Sequence, residues 1–132
     1  RETENQENRM NYVICVNNKQ YLRFLGEEIH DEVIHDLVVG QVYKVAPPDV
    51  NDGPDALRII DESGEDYLFP ADYFAPLQVT EETLMDASSA ITVRLSPVLK
   101  GILHAEALAA RKSVSALLRE WIDERLDLPV AA

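Results

Sequence analysis

A single cysteine, Cys15, in a chain of 132 residues excludes an internal disulfide and a thiolate zinc cluster, since either needs more than one thiol. Cys15 lies in the apolar run Tyr12-Val13-Ile14-Cys15-Val16 and is expected to act as a small buried hydrophobe. No apolar run approaches the roughly 18 to 20 residues that a membrane helix requires, and no charged, apolar, small-residue leader opens the chain. A soluble cytoplasmic protein is the expectation. Basic residues are scarce, with twelve Lys and Arg against twenty-four Asp and Glu and a net charge of −12. That balance argues against wholesale wrapping by nucleic acid or an anionic membrane, while leaving room for a local basic face. No glycine-rich phosphate loop is present, and neither Cys15 nor Ser63 has a histidine at a recognisable motif spacing. No enzyme activity and no cofactor are expected.

Hydrophobic residues at 46% and charged residues at 27% are the composition of a globular protein, so general disorder is not expected. The charge is uneven. Residues 1–77 hold six basic and sixteen acidic side chains, and residues 78–90 add three acids and no base. Residues 91–132 reverse the balance, with six basic side chains facing five acidic ones. The contrast predicts two modules of different surface chemistry.

Residues 1–10 open with the polar, aperiodic RETENQENR and are read as a disordered or appended tail, with Met10 a candidate start. Residues 11–77 change to short β-rich runs: Tyr12 to Val16, Leu37-Val38-Val39, Gln41 to Val45, Ala56 to Ile60 and Asp66 to Phe69. The run from Pro47 to Pro54 can only be a loop, and Gly64 in Glu62-Ser63-Gly64-Glu65 suits a tight hairpin. About five strands in so short a stretch predict a small barrel. Between the first two strands, Lys19 to Asp36 has room for a helical turn. On a helix Glu27, Asp31 and His35 would share one face with His30 a quarter-turn off, so a cation site can be drawn. Histidines five apart do not meet on a helix, however, and a solvated acidic loop is the simpler reading, so no metal is expected; the alternative is that the acidity faces a basic partner protein.

The stretch from Leu57 to Phe74, with its hairpin running into Leu68-Phe69-Pro70-Ala71-Asp72-Tyr73, resembles the last strands of Src-homology-3-like (SH3-like) barrels and small bacterial barrel proteins of unassigned role. In eukaryotic members the matching Pro and Tyr line a groove for proline-rich peptides, so the resemblance makes Pro70 and Tyr73 candidate partner-binding residues. This segment has no tryptophan and no Ala-Leu-Tyr-Asp-Tyr strand. The competing expectation is that Tyr67, Phe69, Tyr73 and Phe74 fill a small core.

Residues 78–90 read as a linker, with weak helix-start chemistry at Thr80 and Glu82-Thr83. Residues 91–127 carry the most specific pattern. Ile91, Val93 and Leu95 alternate with Thr92, Arg94 and Ser96, which predicts a strand with one buried and one exposed face. Ser96 and Pro97 suit a helix start, and Leu99, Ile102, Leu103, Ala107 and Leu108 recur at helical spacing. Ser113 suits the cap of a second helix with an apolar stripe of Leu117, Leu118, Trp121, Ile122 and Leu126. Residues 128–132 are a tail too short to wrap a partner.

Thr92-Val93-Arg94-Leu95 followed by Ser96-Pro97, and Ser113 to Glu120 followed by Ile122, resemble the ribbon-helix-helix family, the Arc- and MetJ-type DNA-binding proteins. About forty residues cannot bury such stripes alone, so two copies are expected to intertwine, with Ile91, Val93, Leu95, Leu117, Leu118, Trp121 and Ile122 as the dimer core. The resemblance implies a two-stranded ribbon in the major groove. Thr92 and Arg94 would then read base edges, while Lys112, Ser113, Val114 and Ser115 would meet phosphate at a helix N-terminus. Arg111 stands where the family's turn often carries a left-handed glycine, at a cost of about 1 kcal/mol if that geometry persists. The expected fold class is α+β: an SH3-like barrel joined by a linker to a ribbon-helix-helix module. The expected function is a homodimeric, sequence-specific transcriptional regulator, a repressor or antitoxin-like protein, in which higher oligomers stay open and the acidic barrel binds a partner or ligand. The alternative is a protein-interaction adaptor that only dimerises through its C-terminal segment.

Overall fold

Short alternating runs with turn residues between them form strands, and the longer runs of 3.6-residue period form helices, in a mixed α+β chain. The computed structural model describes residues 11–20, 22–24, 27–29 and 32–130, so the expected tail 1–10 lies outside the described residues. The chain divides into two units, Arg1–Gln78 and Val79–Ala132.

In unit 1 the strands are β1 (Tyr12–Cys15), β2 (Leu22–Phe24), β3 (Glu27–Ile29), β4 (Val42–Val45), β5 (Ala56–Ile60), β6 (Asp66–Pro70) and β7 (Phe74–Pro76). Five of them make an antiparallel sheet in the order β6-β5-β4-β1-β7, and β2 and β3 form a separate two-stranded hairpin. Registers Val13↔Tyr43, Val45↔Ile59, Leu57↔Phe69 and Cys15↔Phe74 line up one apolar face. That face, with Leu37 and Tyr73, encloses a core in which Ile59 is 0% exposed and Cys15 and Leu37 are each 1% exposed. The sheet is open: β6 and β7 are its ends.

Side chains fix the loops to this core. The Tyr43 hydroxyl donates to Glu62 Oε2 at 2.6 Å and accepts the Val38 N–H at 2.8 Å, while Asn18 Nδ2 donates to the Leu37 carbonyl at 3.0 Å. Arg58 grips Asp52 at 2.7 Å and Asp66 at 3.1 Å, tying the 47–54 loop to the β5–β6 hairpin. The Arg58 guanidinium, aided by the Asp49 N–H, holds the Asp52 carboxyl below its usual range.

Three expectations are corrected. Leu37-Val38-Val39 is loop rather than strand: the Val38 N–H is taken by a side chain, and the chain turns at Gly40, whose φ of 91° suits glycine. The helical turn expected between Lys19 and Asp36 is replaced around Glu27 by β3, so Glu27 and His35 share no helical face. His30 and Asp31 lie outside the described residues. The third is β7, a strand that the β-rich runs did not foretell and that follows a 3-10 turn at Ala71–Tyr73.

In unit 2, α1 (Glu81–Met85) is a short helix within the expected linker, started by a reciprocal Thr80–Thr83 capping box. α2 (Pro97–Ala110) and α3 (Val114–Leu126) follow. Residues 91–96, expected as a strand, form no strand among the described residues; an alternating run with no neighbouring strand to bond has no ladder to hold it extended.

Candidate nucleic-acid interface

The sequence places Thr92 and Arg94 in the six residues before α2, and both are exposed. The apolar residues that alternate with them are exposed too: Ile91 at 90%, Val93 at 67% and Leu95 at 43%. Three apolar side chains at every second position would not face water at no cost, each forfeiting about 1.5–3 kcal/mol of burial.

Helix α2 starts where Ser96 Oγ accepts the Leu99 N–H at 3.1 Å and Pro97 sits in the first turn, where its missing N–H costs nothing. It ends at Arg111, which is left-handed at φ 57° and ψ 42°. There the Lys112 N–H reaches the Ala107 carbonyl at 3.0 Å and the Arg111 N–H reaches the Leu108 carbonyl at 3.1 Å, a Schellman stop built without glycine. The turn geometry expected of glycine therefore persists with arginine in place.

Ser113 starts α3, its Oγ accepting the Ala116 N–H at 3.0 Å. The Val114 and Ser115 N–H groups belong to the first turn and have no carbonyl of their own helix to meet, so with the helix dipole they present positive potential outward. Lys112 is not an unengaged cation beside them: its Nζ forms an ion pair with Glu120. Phosphate contact through Lys112 would require exchanging that partner, whereas Val114 and Ser115 need no rearrangement.

Helices α2 and α3 meet through Leu103, Ala107 and Leu117, the buried side chains among the described residues of this unit. Leu118 is half-buried, and Trp121, Ile122 and Leu126 remain 40% to 56% exposed on the same half of α3. Val98, Leu99 and Ile102 extend the apolar surface onto α2. Leu99 and Ile102 carry helical spacing in the sequence, yet the expected dimer core names α3 residues and none from α2. Among the expected core residues, Leu117 is thus the one covered within a single chain.

In unit 1 the structure separates Pro70 from Tyr73. Pro70 is exposed, whereas Tyr73 is buried and its hydroxyl donates to the Lys19 carbonyl. Tyr73 packs with Phe69 and Phe74, whose rings meet edge-on at 6.2 Å between centroids, so its ring belongs to the core. The groove implied for proline-rich peptides is not assembled from this pair. Sequence reasoning missed the Tyr43 hydroxyl network and the Arg58 clamp; neither follows a short motif.

No protein-family model, curated protein or solved structure matches this chain.

Proposed function

We propose that this protein is a homodimeric, sequence-specific DNA-binding regulator, with residues 91–127 as a ribbon-helix-helix module and unit 1 as a partner-binding module. The observation that carries the reading is the uncovered apolar surface of Ile91, Val93, Leu95, Trp121 and Ile122 on a segment ordered as alternating run, helix, helix. A second copy covers it most economically by pairing residues 91–96 with the same residues of its partner, antiparallel, over both pairs of helices. Ile91, Val93 and Leu95 then face the shared core, and Thr92 and Arg94 are left on the outer side of the ribbon.

A ribbon of that width fits the major groove. Arg94 would donate two hydrogen bonds to guanine O6 and N7, and Thr92 would bond a base edge or pack its methyl on thymine. The start of α3 supports a backbone contact, with two outward N–H groups and the dipole aimed at phosphate. For unit 1, the SH3-like reading is supported by a β5–β6 hairpin that runs into the Ala71–Tyr73 turn, and by β1 and β7 lying side by side.

A net charge of −12 per chain favours a second reading, an adaptor that dimerises acidic modules without binding DNA. The two part at Arg94. Selection of sheared genomic DNA by the purified protein, at low and near-physiological salt, is expected to enrich a short two-fold-symmetric site. Arg94→Ala is expected to lose that preference, about 1–3 kcal/mol per base pair read, while sedimenting as the same dimer. Enrichment by neither protein at either salt would sink the regulator and leave the adaptor.

A further inference from the structure

The two edges of the unit 1 sheet are not equivalent. On β7, residues that point their backbone groups away from β1 are Phe74 and Pro76, since Val16 donates to the Tyr73 carbonyl and the ladder alternates from there. Pro76 has no N–H, and the Phe74 N–H is used by the Ala71 carbonyl. That edge offers no donor to a further strand. On β6 the bonds Asp61 N–H to Glu65 carbonyl and Ala71 N–H to Asp55 carbonyl set the opposite pattern. Alternation turns the N–H and C=O groups of Asp66 and Leu68, and the carbonyl of Pro70, outward, and among the described residues nothing bonds them.

The surroundings of that edge select what can join it. Glu65 on the turn accepts the Tyr67 hydroxyl at 2.7 Å, Asp66 on the strand shares Arg58 with Asp52, and Asp36 adds negative field at the same hydroxyl, so Glu65 and Asp36 are the acids of this edge that no cation pairs among the described residues. Tyr67 and Leu68 are about half exposed beside these acids, offering apolar contact on both faces of the strand. A second β6 would bring like charges together, so self-pairing is opposed. We infer that β6 is a docking edge for a basic, extended segment of a partner protein, which adds to the sheet as a further antiparallel or parallel strand. This rests on the reading of unit 1 as the partner-binding module and not on DNA binding.

The test uses the full chain and three capped decapeptides: alternating Lys and Val, alternating Glu and Val, and a Lys-Val peptide of equal charge interrupted by two central prolines. The uninterrupted Lys-Val peptide is expected to bind and to slow amide exchange at Asp66 and Leu68; the other two are expected to do neither. Leu68→Pro removes an outward N–H without touching the β5 ladder and is expected to weaken binding by about tenfold or more. Glu65→Lys, an exposed change that keeps every ladder bond, is expected to weaken it comparably and decides the matter if Leu68→Pro does not fold. Equal binding of the proline-interrupted peptide would reduce the edge to a patch of charge and overturn the inference. So would unchanged exchange at Leu68, or protection there that grows with protein concentration and needs no peptide. DNA selection by the same samples keeps the readings apart: enrichment without edge binding removes this inference alone, and edge binding without enrichment removes the regulator alone.

Discussion

Unit 1 and unit 2 solve the burial problem differently. Unit 1 closes its apolar face on itself: Ile59, Leu37 and Cys15 are almost wholly removed from water, and Tyr43, Asn18 and Arg58 fix the loops around them. Unit 2 buries Leu103, Ala107 and Leu117 and leaves larger side chains of the same stripes in solvent. Its helices are nonetheless well started and stopped, by Ser96, Ser113 and the Arg111 turn. Local structure is therefore complete in a unit whose packing is not. Exposed apolar side chains recur in three segments of unit 2, Ile91 to Leu95, Val98 to Ile102 and Trp121 to Leu126, and the proposed dimer is what would cover them.

The comparison breaks first at Trp121. If a second copy completes the core, Trp121→Ala should cost about 3–5 kcal/mol of dimer stability, seen as a lower denaturation midpoint that depends on protein concentration. A stable, fully helical monomer in the unsubstituted protein, seen by sedimentation, would overturn the intertwined dimer. The matching change in unit 1 is Ile59→Ala, expected to cost about 2–5 kcal/mol because the cavity sits in a closed core. It should unfold unit 1 at lower denaturant while sedimentation still reports the dimer. Loss of the dimer with Ile59→Ala would show the units to be coupled.

The strands legible in the sequence were those whose burial is self-contained. Val13 and Cys15, Tyr43 and Val45, Leu57 and Ile59 alternate toward one core, and β1, β4, β5 and β6 fall on their β-rich runs. Leu37-Val38-Val39 has the same propensity, yet a tyrosine hydroxyl from five residues on captures the Val38 N–H, which no local pattern discloses. β7 is three residues ending in proline, too short for alternation to register. Glu27–Ile29 pairs across a hairpin with Leu22–Phe24, where the acidic sequence suggested only solvation. In unit 2 the helices and their caps were legible because each cap is a local contact of three residues' span. The Lys112–Glu120 pair was not, since eight residues separate two side chains that suit many partners. Pro70 and Tyr73 show the limit of a motif: the turn forms, but burial of Tyr73 gives it to the core.

Alkaline pH probes the loop ties of unit 1. Burial, with the Glu62 carboxylate beside it, pushes the Tyr43 hydroxyl up to about 12 from an ordinary value near 10. The folded state thus favours the neutral phenol, and its contribution to stability is full below pH 10 and fades as pH rises toward 12. Tyr43→Phe should remove that dependence. It should also cost about 1–3 kcal/mol at neutral pH by leaving the Val38 N–H without its acceptor. An unchanged alkaline profile in the variant would assign the pH dependence to other groups.

The smallest effect is expected at Arg111, and it tests whether the stop between α2 and α3 stores strain. Arginine at φ 57° pays a left-handed penalty that glycine does not, about 1 kcal/mol. Glycine gives part of that back through the greater freedom of the unfolded chain, so Arg111→Gly should stabilise unit 2 by about 0.5 kcal/mol, a rise of about two to four degrees in Tm. Arg111→Ala should not help, because alanine keeps the penalty and loses the cation near the carbonyl end of α2. The pair separates strain from charge. A gain with glycine but not alanine locates the cost in the backbone, and equal losses with both would locate the arginine's contribution in its charge.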